Sequence, residues 1–395
     1  MGDDPRTRAG RWDAGRLPAV TEQPRAIDEM NPDGVPRKVL FVAGAGRSGT
    51  STLAGIVSRL GMHVPLPEVP PDDSNPRGFS EPQWVVDVHD EWLREALVQV
   101  SDSRPEAWFD TGRICSREPA RIRVSEWLEP HFAEHPELVV KDPRLSWFLG
   151  LWRVAAIRTG ATPVFATMLR PPAEVVGSKQ KYYANKLGSA HLAASWVNML
   201  LHTERATRSV EGVGEDVAGQ GRVFVRYEDL LDDWVRTTTA MGHALDLQTI
   251  IHTRSDQIRE VHRFIDPNLR RVTSTLDDLA LPRRLHDLTG QTWEELNKLA
   301  DEGGDTSAAH ATFDQLRAEY VDLYEEAAAI SRSTAEHARH QARRRALHEA
   351  AGEGTSRSIA DRVPHDVRAA IPPSVRRGVR KALGRSRDAT GDAQP

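Results

Sequence analysis

KVLFVAGAGRSGTSTLAGIVSRL, the stretch from Lys38 to Leu60, joins a short apolar run to a glycine-rich turn and then to an apolar pattern with helical spacing. It predicts a β-strand, a tight loop and an α-helix in direct succession. The first backbone N–H groups of a helix have no acceptors inside it, and the helix dipole adds partial positive charge there. The loop is therefore expected to hold a phosphate group.

The residues of this loop separate it from the loops that bind nucleoside triphosphates. Gly44 and Gly49 keep the glycine spacing of G-x-x-x-x-G-K-[ST], but Thr50 stands in the lysine position and Arg47 lies inside the loop. Triphosphate chemistry needs that lysine on the terminal phosphates, so the loop predicts phosphate binding without triphosphate hydrolysis. The residues expected to hold the phosphate are Gly46, Arg47, Ser48, Gly49, Thr50 and Ser51.

Bulk composition favours a cytoplasmic protein that does not bind nucleic acid. The 395 residues carry a formal net charge of -5, so no overall basic excess points to nucleic acid. Cys115 is the only cysteine, which excludes an internal disulfide and suits a reducing compartment. The first residues are charged rather than apolar, unlike a signal peptide, and no apolar run approaches the ~20 residues of a membrane span.

Composition also divides the chain into three parts. Residues 1–36 are polar and punctuated by proline and glycine, which predicts a disordered leader. An α/β domain is expected over 37–330, followed by a basic tail over 331–395 with 14 Lys and Arg against 7 Asp and Glu. Within the tail, 372–385 has the pattern of a short basic amphipathic helix, typical of weak peripheral contact with an anionic membrane surface. A solvated, flexible tail is the other interpretation.

Three further apolar runs predict strands, over Leu138–Val140, Pro163–Leu169 and Arg222–Tyr227. Helical patterns separate them, so the strands are expected to be parallel and joined by crossovers. The fold class predicted is α/β, a P-loop-type doubly wound sheet flanked by helices, with a helical C-terminal extension. Ligands of such sheets bind at the carboxyl ends of the strands, where Lys141–Arg144 and Arg170 follow two of these runs.

Two more motifs follow in the order of the chain. Leu169–Lys181 reads LRPPAEVVGSKQK, with Arg170 at a predicted strand end and Ser178 two turns into the next helix. A guanidinium supplies a fork of charge-assisted donors for a phosphate, and a hydroxyl adds one more. Val225–Leu230 reads VRYEDL, a strand-to-helix junction with acidic residues in the first helical turn.

Together these motifs resemble those of bacterial members of the sulfotransferase superfamily that uses 3′-phosphoadenosine 5′-phosphosulfate (PAPS). The resemblance covers residues 38–271 and is carried by R-S-G-T-S, Arg170 with Ser178, and R-Y-E-D-L. It implies that the loop holds the 5′-phosphosulfate and that Arg170 and Ser178 hold the 3′-phosphate. Arg271, together with Arg270, would belong to a late basic segment that completes the nucleotide site.

The resemblance also implies the reaction, an in-line transfer of a sulfuryl group from PAPS to a hydroxyl or amine without a metal. Arg47 occupies the position of a loop lysine in cytosolic sulfotransferases and of an arginine in Golgi tyrosine sulfotransferases. Lys141 matches the lysine of the cytosolic K-x-H segment, and both residues are expected to stabilise charge during transfer. The histidine of that segment is replaced by Pro143.

The catalytic base must then come from another segment. Golgi-type and some bacterial sulfotransferases take a glutamate from the loop after the P-loop helix, and Glu81 occupies such a place. Burial beneath Phe79 and Trp84 is expected to raise the pKa of this carboxyl group toward neutrality. His89 is the alternative base.

Two other functions stay open on the sequence alone, a P-loop kinase or nucleotidase and a non-catalytic protein that binds 3′-phosphoadenosine 5′-phosphate (PAP). The acceptor is also open: a glycan, a glycolipid, a small metabolite or a peptidyl tyrosine, because a fold does not name its substrate.

Overall fold

A computed structural model of the chain describes residues 36–73, 75–182, 187–209, 221–265 and 274–356. Three sequence predictions concern residues outside these ranges. They are the leader up to residue 35, the basic segment 372–385, and Arg270 with Arg271.

Four parallel strands form one sheet at the centre of the fold. They are β1 (Arg37–Ala43), β2 (Glu137–Lys141), β3 (Ala161–Leu169) and β4 (Arg222–Arg226). The spatial order is β2-β1-β3-β4, and every neighbouring pair is parallel. The register places Val42 of β1 beside Lys141 and Ala166, so the phosphate-loop end of β1 lies between the carboxyl ends of β2 and β3. The predicted α/β fold with a parallel sheet is confirmed.

Helices fill the connections between strands. The α-helices are α1 (Thr50–Arg59), α2 (Gln83–Ala96), α3 (Ala107–Cys115), α4 (Glu118–Leu128), α5 (Leu149–Arg158), α6 (Pro172–Tyr182), α7 (Ser189–Thr207), α8 (Tyr227–Asp232), α9 (Trp234–Ala244), α10 (Gln248–Ile251), α11 (Ser255–Phe264), α12 (Arg283–Leu299) and α13 (Ser307–Ser356). Short 3-10 helices span Glu129–Ala133, Pro143–Trp147 and Leu276–Asp278.

The core lies on both faces of the sheet. Side chains of a strand alternate between its two faces, and β1 divides accordingly. Val39 and Phe41 pack into one apolar cluster, and Leu40 and Val42 pack into the other. All four are fully buried, which explains why β1 reads as a continuous apolar run rather than an alternating one.

The contacts of the chain divide it into two units between Tyr324 and Glu325. In the first unit, Phe313, Leu316 and Tyr320 of α13 are buried in the core, as their helical spacing predicts. In the second unit, the described residues continue α13 to Ser356. The predicted domain boundary after residue 330 stays a prediction. Within the described ranges, no helix combines the length and the apolar character needed to cross a membrane.

Three histidines meet beside the start of β2. The rings of His63 and His135 stack with centroids 3.8 Å apart, and the ring of His131 lies 5.9 Å from that of His63. Partial burial lowers the pKa of His63 and of His131, and the charge of the neighbouring His135 lowers both further. The folded chain therefore favours the neutral imidazoles of His63 and His131.

This cluster predicts a loss of stability in mild acid. In the unfolded chain, the rings of His63 and His131 take up protons near pH ~6.5. In the folded chain, the same two rings resist protonation until a lower pH. Between those two pKa values the unfolded state binds more protons, so the free energy of unfolding should fall as the pH falls through that window. Urea unfolding at about pH 7.5 and about pH 5.5 measures the difference.

The matched variant is His135→Gln, which removes the ring that acts on both of its neighbours. The difference in stability between the two pH values should shrink in this variant. The same pH dependence in His135→Gln and in the unaltered protein would place the effect elsewhere in the chain.

Candidate active site

The loop between β1 and α1 has the sharp backbone path that its glycines predict. Gly44 and Gly49 have φ of 138° and 99°, and Arg47 between them has φ of 75°. A β-carbon on Gly49 would lie 2.3 Å from Cδ2 of Tyr227, so a side chain there would collide with the buried tyrosine ring. Glycine at this position lets the start of α1 approach Tyr227 closely.

No side chain caps the first turn of α1 in the described part of the chain. Its first hydrogen bond runs from the N–H of Leu53 to the carbonyl of Gly49, at 3.1 Å. The amides of the preceding residues in the turn are thus free of intrahelical acceptors, and they carry the positive end of the helix dipole. This turn is suited to an anion.

A second group of donors lies at the end of β3 and touches the loop directly. Arg170 donates from Nη1 to the carbonyl oxygen of Arg47 at 3.1 Å and from Nε to Glu174 Oε2 at 2.9 Å. Arg47 in turn donates from Nε to Ser178 Oγ at 3.1 Å. The two motifs, more than a hundred residues apart in sequence, are therefore joined directly by hydrogen bonds at the carboxyl ends of β1 and β3.

Lys141 joins the loop to Glu81. At the end of β2, its Nζ donates to Ser51 Oγ at 2.9 Å and also to Glu81 Oε1. Lys141 is 1% exposed and Glu81 is 6% exposed, so this is a buried ion pair. Burial raises the pKa of the Glu81 carboxyl group above its ordinary value, while the Lys141 ammonium acts against the rise.

Two backbone hydrogen bonds hold the segment that carries Glu81. The N–H of Val69 donates to the carbonyl of Glu81, and the N–H of Gln83 donates to the carbonyl of Pro67, each at 2.8 Å. These two bonds tie the proline-rich loop to the start of α2 on both sides of the glutamate.

His89, the alternative base, is fully buried. Trp152 Nε1 donates to His89 Nε2 at 2.8 Å, so that nitrogen is an acceptor and the ring proton lies on Nδ1. Nδ1 then donates to Asp142 Oδ2 at 3.2 Å. Burial alone would raise the pKa of Asp142, but the hydrogen bond from His89 and the charge of Arg144 hold it at about 2.

These groups surround one cleft of about 600 Å³. Among the predicted site residues, those that line it are Gly46, Arg47, Gly49, Thr50, Ser51, Glu81, Lys141, Arg170 and Ser178. Ser48 does not line the cleft, and its buried hydroxyl has no hydrogen-bond partner among the described residues. His89 does not line the cleft, and Arg271 is outside the described residues.

Further cleft residues did not emerge as site residues from the sequence. Tyr227 lines the cleft, and the Arg170 guanidinium carbon lies 4.9 Å from the centre of its ring, a cation–π contact that orients the arginine. Lys179 and Ser101 also line the cleft. In the sequence, Tyr227 belongs to the R-Y-E-D-L motif and Lys179 directly follows Ser178. The available sequence signal that either residue belongs to the site was therefore its position in or beside a motif.

Among the described residues, no group of three or more His, Cys, Asp or Glu side chains is placed to hold a metal ion. In the described part of the chain, the cleft is lined by cationic, hydroxyl and amide donors, together with the carboxylates of Asp72 and Glu81. This set of donors suits an anionic ligand that is held by direct hydrogen bonds.

Comparison with known proteins gives weak likenesses only. No protein-family model matches the chain, and no curated protein matches it. Among solved structures, the sulfotransferase domain of the Synechococcus PCC 7002 olefin synthase is 17% identical with a TM-score of 0.38, covering 66% of this chain and 95% of that domain. The sulfotransferase STF1 of Mycobacterium tuberculosis is 15% identical with a TM-score of 0.33, covering 67% of this chain and 78% of that one. Likenesses at this level carry no argument about function.

Proposed function

We propose that this chain is a sulfotransferase that moves a sulfuryl group from PAPS to a hydroxyl or amine of an acceptor. One observation carries the proposal. The phosphate loop, with Thr50 in the lysine position, is hydrogen-bonded to a second set of anion-binding groups at the end of the adjacent strand, Arg170 and Ser178. A nucleotide with anionic groups at both its 5′ and 3′ positions matches this double arrangement.

The chemical character of the cleft residues supports PAPS as the donor. The first turn of α1 and Arg47 are suited to the 5′-phosphosulfate, and Arg170 with Ser178 to the 3′-phosphate. Arg271 remains a proposed contributor to the nucleotide site on the resemblance alone.

In the proposed transfer, the acceptor oxygen forms a bond to sulfur while the bond between sulfur and the 5′-phosphate oxygen breaks. The acceptor proton passes to the Glu81 carboxylate, and the bonding electron pair leaves with PAP. A base is needed because a neutral hydroxyl is a weak nucleophile, and the raised pKa of Glu81 brings its basicity closer to that of a useful proton acceptor.

The buried ion pair of Glu81 and Lys141 couples proton removal from the acceptor to stabilisation of charge on the departing phosphate. Before transfer, the ammonium of Lys141 is bonded to the carboxylate of Glu81. Once Glu81 has taken the proton it is neutral, and Lys141 loses its counter-ion. The ammonium, together with Arg47, is then available to stabilise the negative charge that grows on the departing phosphate.

The acceptor class that fits the proposal is broad: a glycan, a glycolipid or a small metabolite with a free hydroxyl or amine. A cytoplasmic location, weak membrane contact through residues 372–385 and the absence of nucleic-acid partners remain proposals from the sequence.

Ligand preference separates this function from a P-loop kinase. We expect PAP to bind at least about tenfold more tightly than ATP, since ATP lacks the 3′-phosphate that Arg170 and Ser178 would hold. Isothermal titration calorimetry with each nucleotide, with and without Mg²⁺, measures this preference. Tighter binding of ATP, strengthened by Mg²⁺, would support the kinase instead.

Turnover then separates an enzyme from a PAP-binding protein without activity. PAPS is incubated with the protein and a mixture of hydroxyl compounds, and release of PAP is followed by chromatography. Release that depends on the added acceptors supports the sulfotransferase, whereas tight PAP binding without acceptor-dependent release supports the non-catalytic protein.

A further inference from the structure

Lys179 is a buried cation on the wall of the cleft. It lies in α6 directly after Ser178, is 4% exposed and lines the cleft. Its Nζ donates to Ser101 Oγ at 2.9 Å, and Ser101 lines the same cleft. An ammonium has three donors, and this hydroxyl is the single hydrogen-bond partner of Lys179 among the described residues.

Three other buried or half-buried cations in or near the cleft each have a carboxylate partner. Lys141 is paired with Glu81, and Arg170 with Glu174. Arg144 is paired with both Asp90 and Asp142. These pairings offset the cost of removing each charge from water.

Lys179 has no such partner within the described ranges. Burial lowers its pKa to about 8, and no neighbouring charge contributes to the change. Burial of an ammonium without a counter-ion is costly, and a bound anion would supply the missing counter-charge.

The position of Lys179 separates it from the proposed nucleotide groups. Successive residues of a helix point about 100° apart, so Lys179 and its neighbour Ser178 point in different directions from α6. Ser178 is bonded to Arg47 of the phosphate loop. Lys179 is bonded instead to Ser101, in the connection between α2 and α3, where Gln99 and Val100 also line the cleft.

We infer that Lys179 binds an anionic group of the acceptor, so that the substrate class is hydroxyl compounds that also carry a carboxylate or a phosphate. This inference rests on the proposed function, because it takes the phosphate loop with Arg170 and Ser178 as the nucleotide site. Lys179 would then distinguish acidic acceptors from neutral ones of the same shape.

The test uses PAP-saturated protein and three matched pairs of small hydroxyl compounds. They are methyl β-D-glucuronide with methyl β-D-glucoside, glucose 6-phosphate with glucose, and 4-hydroxybenzoate with 4-hydroxybenzamide. Calorimetry should show that the anionic member of at least one pair binds roughly tenfold or more tightly than its neutral partner, as expected for a hydrogen bond to a charged group. The pair with the largest preference identifies the anion as carboxylate or phosphate.

Two variants test whether Lys179 is responsible for the preference for the anionic compounds. Lys179→Met keeps most of the volume without the charge and should abolish the preference, while PAP affinity stays within about twofold of the original. Lys181→Met removes a lysine from an exposed position of the same helix and should leave the preference intact.

Three results would overturn the inference. One is that no anion binds better than its neutral partner, and another is that the preference survives in Lys179→Met. The third is a loss of PAP affinity in Lys179→Met, which would assign the lysine to the nucleotide. Failure of the unaltered protein to bind PAP is a separate result, and it would count against the proposed function itself.

Discussion

Replacing Arg170 and Glu174 together, as Arg170→Met with Glu174→Gln, is expected to weaken PAP binding by about a hundredfold, since two hydrogen bonds from a buried charged group contribute on the order of 3 kcal/mol. Adenosine 5′-phosphosulfate lacks the 3′-phosphate, so its affinity should change little. Calorimetry with both nucleotides measures the two effects. The expected result is therefore a loss of selectivity for the 3′-phosphate rather than a general loss of binding.

Arg170 and Glu174 are replaced together because they form a buried ion pair. The Glu174 side chain is 3% exposed and bonded to Arg170, so removal of the arginine alone would take a counter-ion away from a buried carboxylate. Arg208→Met is a suitable control, because it removes an arginine bonded to another buried glutamate, Glu204. Its effect on PAP affinity should be negligible.

One result would contradict this assignment. Arg170 also donates to the backbone of Arg47, so the double variant could distort the phosphate loop itself. Equal losses of affinity for both nucleotides would show that Arg170 supports the loop and adds no selectivity for the 3′-phosphate, which would contradict its proposed role.

The fold was largely predictable because its signals are local. The apolar run of β1 is continuous, and the glycines that follow it permit one sharp turn before a helix. Helix α3 escaped prediction because Ala107–Cys115 carries only three buried residues among polar and exposed ones, and Phe109 is exposed. A segment with so narrow an apolar stripe gives little periodicity to detect.

The candidate site was predictable only in part, because its decisive contacts join distant segments. Sequence motifs indicate Arg47, Arg170 and Ser178 one by one, but not that Arg47 bonds Ser178. The pairing of Lys141 with Glu81 crosses 60 residues and depends on how the proline-rich loop folds back onto α2. No local pattern encodes such a contact.

Lys179 shows a second limit of sequence reasoning. Lysines are rarely fully buried, so the general expectation for one on a helix is exposure. The burial of Lys179 follows from the packing of α6 against the α2–α3 connection, which positions Ser101 beside it. Tertiary packing thus decides which of two neighbouring lysines, Lys179 or Lys181, lies in the cleft.

Glu81→Gln is expected to reduce turnover of PAPS by a hundredfold or more while PAP binding stays intact, because general base catalysis contributes about 10²–10⁴-fold. Glutamine keeps the shape of the side chain and an oxygen that can accept from Lys141, but it cannot take a proton near neutral pH. The measurement is kcat for PAP release at saturating PAPS and acceptor, together with calorimetry of PAP.

The pH profile provides a second readout that a structural role would not change. Glu81 must be ionised to act as a base, so kcat should fall as the pH falls through its pKa, which burial raises above the ordinary value for glutamate. Glu81→Gln should remove this acidic limb. Glu68→Gln, in the same loop but outside the cleft lining, is the matched control and should keep both the rate and the limb. Full turnover in Glu81→Gln, or an acidic limb that persists in it, would exclude Glu81 as the base.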